Sequence, residues 1–108
     1  MDAIVKGCDW FVDITIEPTS GSTNAEVITT LTGATVAASL RFLGSAISPA
    51  PTAAVQDANA RTVRVTYAAA NTAQLALGEL YNLDVRVTKG GLTYPVEVFG
   101  TVRVVASL

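Results

Sequence analysis

The chain has 108 residues, of which half are hydrophobic, 15% are charged and none is histidine. This length predicts a single domain over residues 1–108 with one modest core, and a net charge of −2 offers no basic footprint for nucleic acid or an anionic membrane surface. Without histidine there is no imidazole base, no Ser-His-Asp or Cys-His nucleophile and no histidine metal ligand, so we expect neither an enzyme nor a bound cofactor or metal.

Two segments of the N-terminal half alternate between apolar and polar residues. The chain is also rich in β-branched residues that favour strands, with 14 Thr and 14 Val. Residues 9–17 predict a half-buried strand, because Trp10 and every second residue after it share one face. Residues 18–24 are rich in turn-forming residues, residues 25–30 can form a short strand, and residues 36–42 predict a second alternating strand.

The middle of the chain combines a loop with a further strand. Pro49 and Pro51 place residues 44–52 in an exposed loop, because proline removes a backbone donor. Residues 53–57 are ambiguous in pattern. Residues 61–67 alternate cleanly and predict a strand.

The alanine-rich segment over residues 68–79 is predicted to be a loop that crosses between sheets. Thr, Asn and Gly interrupt the run of alanines, which excludes a long helix. We expect at most one short helical turn, capped by Asn71 or Thr72 and ended by Gly78.

The C-terminal third carries a hairpin signal. Two alternating segments flank Gly90-Gly91, which favours a two-residue turn of the primed type. The pairs that this register predicts are Lys89 with Leu92, Val87 with Tyr94, Val85 with Val96 and Leu83 with Val98. Pro95 then lies opposite Arg86, and we expect the outer side of its strand to be an edge there. A last strand follows Gly100.

These segments amount to about seven short strands separated by turn signals. Such spacing predicts an all-β protein, an antiparallel β-sandwich that is Ig-like or jelly-roll-like.

The polar residues form no predicted catalytic constellation. Cys8 is the single cysteine, and we expect it to be a buried or half-buried small hydrophobe rather than a reactive thiol. Asp9 and Asp13 share one strand face but lie about 13 Å apart, which is too far for an acid/base pair. Residues 57–59 begin like a calcium loop but lack the remaining ligands, so a turn is predicted.

Several segments, taken together, resemble a known family. They are residues 4–10, the Leu-Thr-Gly-Ala turn within residues 31–36, residues 72–78, the alternating strand over residues 81–88, and the closing Gly-Thr-Val-Arg-Val of residues 100–104. This order resembles the small β-sandwich domains of tailed-phage virion proteins, such as the N-terminal domain of upper baseplate proteins. In this chain Lys-Gly-Cys-Asp stands at residues 6–9, where that family has Gln-Gly-Asp.

The resemblance implies a non-enzymatic structural protein of a tailed-phage virion. Upper baseplate proteins continue into a receptor-binding region, so a stand-alone copy implies an adaptor or decoration protein on the tail, the baseplate or the head. The implied partners are capsid, tail or baseplate subunits and further copies of this chain, with no nucleic acid and no membrane. Residues 1–6 do not resemble a secretory signal, and we expect synthesis in the host bacterial cytoplasm.

The candidate interface has three parts. Residues 1–6 are predicted to be a docking arm that can add a strand to a neighbour's sheet. The second part is the apolar loop over residues 45–54, and the third is the predicted edge near Pro95. The candidate contact residues are Ala3, Ile4, Val5, Ile47, Pro49, Pro51 and Pro95.

A carbohydrate-binding or adhesion module is the alternative function. Trp10, Tyr67, Tyr81 and Tyr94 could line a sugar-binding face, but their position in the alternating pattern favours the core.

Overall fold

The computed structural model describes residues 3–16, 30–89, 92–95 and 100–107. Strands dominate these residues. In chain order the elements are β1 (Ala3–Val5), β2 (Trp10–Thr15), β3 (Thr35–Phe42), β4 (Ser45–Ala46), β5 (Thr52–Asp57), β6 (Thr62–Tyr67), α1 (Ala69–Thr72), β7 (Leu80–Lys89), β8 (Leu92–Pro95) and β9 (Gly100–Val105).

The strands form two sheets. One has the order β1-β9-β7-β3-β4, with β8 also paired to β7, and the other has the order β2-β6-β5. The predicted all-β sandwich is confirmed, with nine strands in the described residues instead of about seven. Strands β2, β6 and β5 take the places of strands B, E and D of an Ig-like sandwich, while β3, β7 and β9 take those of C, F and G. Of the two predicted topologies, the strand order therefore matches the Ig-like one.

The core side chains come from the strand faces that the alternation predicts. From Tyr81 to Val87, every second residue of β7 is at most 4% exposed. The facing sheet contributes Trp10, Val12, Val63, Val65 and Tyr67. Because the two inner faces interdigitate in a sandwich, apolar side chains fill the space between the sheets.

The connection between β6 and β7 contains the predicted single helical turn. It starts at Ala69 and ends at Thr72, so it begins before the predicted cap and ends well before Gly78. The Asp9 carboxylate, which lies just before β2, accepts a hydrogen bond from the Ala69 N–H at 2.7 Å. The helix start is therefore satisfied by a residue sixty positions away, which local sequence does not reveal.

Side-chain hydrogen bonds hold this connection against the rest of the fold. The fully buried Thr72 hydroxyl donates to the Cys8 carbonyl at 2.8 Å and accepts from the Gly7 N–H at 3.1 Å. Tyr81, at the start of β7, accepts a hydrogen bond from the Ala76 N–H at 2.9 Å. This bond to backbone a few residues upstream is the tyrosine corner found in Ig-like sandwiches.

The register of the β7–β8 hairpin is confirmed where it is described. Lys89 pairs with Leu92, Val87 with Tyr94 and Arg86 with Pro95. The predicted pairing of Leu83 with Val98 is wrong, because Leu83 pairs with Gly100 on β9. Between these two pairs, β7 contributes two residues and the chain from Pro95 to Gly100 contributes four, so the register of β9 against β7 is shifted by two residues from that of β8. Because side chains alternate with a period of two, a shift of two residues keeps the same face inward. The predicted pairing of Val85 with Val96 lies outside the described residues.

The middle of the chain contains more strand than the sequence predicts. The supposed loop over residues 44–52 includes β4, which pairs with the end of β3. The ambiguous residues 53–57 are part of β5, which pairs with β6. Of the strand predicted over residues 25–30, only Thr30 is described, and it lies outside the strands.

Candidate docking surface

The described part of the predicted docking arm, residues 3–6, joins the protein's own sheet. Residues Ala3–Val5 form β1, which runs parallel to β9, and the Lys6 N–H donates to the Val105 carbonyl at 2.9 Å. The Ile4 side chain is fully buried in the core, so it is not accessible to a partner. Ala3 and Val5 are half-buried. Burial of the Ile4 side chain removes apolar surface from water and so stabilises the protein's own fold.

A second candidate region is the uncharged edge, by which we mean residues 42–56. No charged residue occurs between Arg41 and Asp57, although 16 charged residues are distributed along the chain. The segment includes β4 and most of β5, each the terminal strand of its sheet. Its exposed residues include Leu43, Gly44, Ser45, Ala46, Ser48, Pro49, Ala50, Thr52, Ala54 and Gln56. A surface depleted of charge is typical of the centre of a protein–protein interface.

The predicted contact residues of this region divide between surface and core. Pro49 is exposed, Ile47 is half-buried against the core, and Pro51 is buried. The Tyr67 hydroxyl donates to the Pro49 carbonyl at 2.8 Å. Burial raises the pKa of Tyr67, which keeps the phenol protonated as a donor. The loop is thereby tied to the core beneath it. Of Pro95, the remaining candidate, the structure describes the backbone in β8.

The turn between β3 and β4 presents a single exposed leucine. Phe42 pairs with Ser45, and the two residues between them have φ values of 51° for Leu43 and 84° for Gly44. A two-residue hairpin loop with positive φ at both positions is a type I′ turn, which favours Asn, Asp or Gly at its first position. Leu43 is nevertheless 88% exposed there.

The hairpin that carries Leu43 is held firmly by its neighbours. The ring of Phe42 lies 5.2 Å from that of Tyr81, centroid to centroid, at an angle of 40°. The Ile47 N–H donates to the Leu40 carbonyl at 2.8 Å, which extends the pairing beyond β4. Leu43 thus projects from a turn whose flanking residues are paired with each other and packed on the core. The contact residues predicted from sequence do not include Leu43, although an X-Gly pair directly after an alternating strand is a signal for a primed turn.

The outer face of the three-stranded sheet is polar. Arg64 donates two hydrogen bonds to Asp13, at 2.8 and 3.0 Å, and its guanidinium lies 4.5 Å from the centroid of the Phe11 ring. The hydrogen bonds from Arg64 lower the pKa of Asp13. Phe11 is 58% exposed, whereas Trp10 and Tyr67 are buried as predicted. A row of exposed aromatic rings, which a sugar-binding face needs, is not formed by the aromatic side chains that the structure describes.

Cys8 and residues 57–59 were the other positions at which the sequence raised a chemical role. Cys8 is exposed, so the prediction that it is buried or half-buried is wrong. Cys8 lies in the turn that connects β1 to β2, where its backbone carbonyl accepts a hydrogen bond from Thr72 while its side chain is exposed. The predicted turn at residues 57–59 is confirmed, because the Asp57 carboxylate accepts from the Ala60 N–H at 3.0 Å.

Neither a metal site nor a membrane span is formed by the part of the chain that the structure describes. Its Cys, Asp and Glu side chains make no group of three or more that could hold a metal ion. Its helix, with four residues, is far too short to cross a bilayer.

No protein-family model matches the chain, and no curated protein is significantly similar to it. The likeness to phage baseplate domains therefore depends on the sequence motifs quoted above.

Proposed function

We propose that the protein is a non-enzymatic structural component of a tailed-phage virion, which docks through its uncharged edge as an adaptor on the tail or baseplate or as a decoration of the head. The virion setting comes from the sequence resemblance. The docking role is supported by the structure through one observation, the exposed and strained Leu43.

Leu43 combines two features that each oppose stability. A left-handed backbone conformation costs an L-residue other than Gly roughly 1–2 kcal/mol, and bulky residues adopt it rarely. An exposed leucine also gains almost nothing from the hydrophobic effect. The turn needs the left-handed conformation but not a leucine, and a strained residue that adds little to stability is a candidate functional residue. An apolar side chain that fills a pocket of a partner is a common anchor of protein interfaces.

The surroundings of Leu43 fit the same role. The rest of the uncharged edge offers small apolar and hydroxyl side chains that a partner can cover without desolvating a charge. Docking between virion subunits needs such a surface, repeated by symmetry, and no reactive group.

The first experiment asks whether the protein is in the particle. Phage particles from the strain that encodes the chain are purified on a density gradient, and the chain is quantified by mass spectrometry and located by immunogold electron microscopy. We expect several symmetric copies per particle, at the tail or on the head. Absence from purified particles, while the protein is abundant in the producing cells, would overturn the proposal.

The second experiment asks whether Leu43 mediates docking. The variant Leu43→Asn is compared with Leu77→Asn, which changes another exposed leucine. Both are supplied in cells infected with a phage that lacks the gene. We expect incorporation of Leu43→Asn to fall about tenfold, the result of losing about 1.4 kcal/mol of contact, while Leu77→Asn is incorporated normally. Equal incorporation of both folded variants contradicts the role of Leu43.

A further inference from the structure

Residues 6–9, which connect β1 to β2, are tied one after another to the connection between β6 and β7. Each of the four is hydrogen-bonded to a residue between positions 69 and 75, and we call these contacts the clasp. They are the Lys6 ammonium to the Leu75 carbonyl at 2.7 Å, the Gly7 N–H to the Thr72 hydroxyl at 3.1 Å, that hydroxyl to the Cys8 carbonyl at 2.8 Å, and the Ala69 N–H to the Asp9 carboxylate at 2.7 Å. All four bonds span at least 60 positions of sequence, so the clasp joins two segments that are otherwise far apart in the chain.

Residues 3–9, which we call the strap, have few other attachments to the fold. Their strand, β1, has three residues, and among the described strands it pairs with β9 alone. The Lys6 N–H adds one bond to this ladder, at 2.9 Å to the Val105 carbonyl. Of the β1 side chains, Ile4 is fully buried and the other two are half-buried. A short ladder with one core side chain belongs to the least stable parts of a fold, which open locally before the whole protein unfolds.

The sandwich beneath the strap has supports of its own. β9 is paired on its other side with β7. The connection that the clasp binds is also anchored at its far end, where the Ala76 N–H donates to the Tyr81 hydroxyl at 2.9 Å. Two residues further on, the Gly78 N–H donates to the Val104 carbonyl at 2.8 Å. These bonds do not involve the strap, so they persist when the strap leaves.

The strap covers the edge of a longer strand. β9 has six residues, and without β1 it becomes the last strand of its sheet. An uncovered strand edge is a row of N–H and C=O groups that can pair with another strand. Departure of the strap also withdraws the Ile4 side chain from the core. The position of the strap therefore decides whether this end of the sheet is closed or open to a further strand.

We propose that the clasp keeps the strap closed over β9, and that release of the clasp opens the edge of β9 while the rest of the sandwich stays folded. The closed and open states then differ in the contacts of residues 3–9, and the pairing of the other strands is common to both. The edge in question lies at the β1 end of the six-stranded sheet, opposite to β4 and the uncharged edge. The inference is thus separate from the proposed docking through Leu43.

Native-state hydrogen exchange of the full chain, followed by NMR at increasing urea concentrations, tests the strap. The reporter is the Lys6 amide, because it donates to β9 and is not itself a donor of the clasp. The reference is the Val65 amide of β6, which lies between two partner strands. In the wild type we expect Lys6 to exchange about tenfold faster than Val65 or more, yet more slowly than an unprotected amide. The Lys6 rate is expected to depend little on urea, because opening the strap exposes little surface, whereas the Val65 rate follows global unfolding.

Three variants test whether the clasp holds the strap. Asp9→Ala removes one bond of the clasp and is expected to speed Lys6 exchange about fivefold. Thr72→Val removes two bonds and is expected to speed it about tenfold or more. Asp13→Ala is the matched control for Asp9→Ala, because it removes the ion pair with Arg64, which the closed and the open state both contain. It is expected to leave the Lys6 rate unchanged.

Several results overturn the inference. An unprotected Lys6 amide in the wild type shows that the strap is not closed, and a Lys6 amide that exchanges only as fast as Val65 shows that the strap opens only when the whole protein unfolds. The inference also fails if Asp9→Ala leaves the Lys6 rate unchanged, or if Asp13→Ala raises that rate as much as Asp9→Ala does. Should Thr72→Val not fold, Asp9→Ala still decides the outcome, because Asp9 is exposed. None of these results bears on whether the protein is found in virions, so the two proposals fail separately.

Discussion

Replacing Leu43 by asparagine is expected to stabilise the protein, which is unusual for the removal of a leucine. The residue is 88% exposed, so the burial lost is about one eighth of a full leucine side chain, or roughly 0.3 kcal/mol. Asparagine tolerates the left-handed conformation at the first position of a type I′ turn and relieves a strain of about 1–2 kcal/mol. The net expectation is a gain of about 0.7–1.7 kcal/mol in the free energy of unfolding, or several degrees in Tm.

Urea unfolding followed by the fluorescence of Trp10, which is buried, measures this difference. Leu77→Asn is the control, because Leu77 is only 56% exposed and its φ is not positive. Leu77→Asn loses about 1 kcal/mol of hydrophobic burial and relieves no backbone strain, so it is expected to lower the free energy of unfolding. If Leu43→Asn destabilises the fold by more than about 0.5 kcal/mol, Leu43 packs against its own domain, and the argument for docking through it is refuted.

Two further predictions concern the polar contacts of the fold. Thr72→Val removes the hydroxyl that joins α1 to the β1–β2 connection and is expected to lower the free energy of unfolding by about 2 kcal/mol. Thr72→Ser keeps the hydrogen bonds to Gly7 and Cys8 and is expected to lose only about 1 kcal/mol, the contribution of the methyl group. Equal losses of the two variants in thermal unfolding would show that the hydroxyl contributes little. The hydrogen bonds from Arg64 lower the pKa of Asp13 in the folded protein. The contribution of this pair to the free energy of unfolding is therefore fully present above the ordinary pKa of 3.8, and it is lost as the pH falls through the lower pKa of the folded protein. In urea titrations at a series of pH values, the difference in free energy of unfolding between wild type and Asp13→Asn is expected to be constant near neutrality and to shrink below pH 3.8. A difference that does not change with pH contradicts the pairing of Asp13 with Arg64.

The sequence predicts the strands well where one face is buried. On β7 the alternation from Tyr81 to Val87 places every apolar residue in the core, and Gly90-Gly91 sets the register of the hairpin down to Arg86 and Pro95. These features are local, because the side-chain period of a strand and the geometry of a two-residue turn depend only on neighbouring residues. The same holds for the turn that Asp57 caps.

The candidate site was harder to predict, because exposure depends on what the rest of the chain covers. Ile4 and Pro51 look like contact residues in sequence, yet the fold buries both. Leu43 looks like one more apolar residue at the end of a strand, and only the turn conformation shows that it is strained and exposed.

The sequence by itself therefore determined the class of fold, an all-β sandwich, since alternation and turn residues act over a few positions. The tertiary structure alone decided which strands are neighbours: β1 lies parallel to β9, and Leu83 pairs with Gly100 instead of Val98. It also decided which strand of each sheet is left at the edge. The physical reason is that strand pairing joins residues far apart in the chain, where the gain comes from a shared core and not from any local preference.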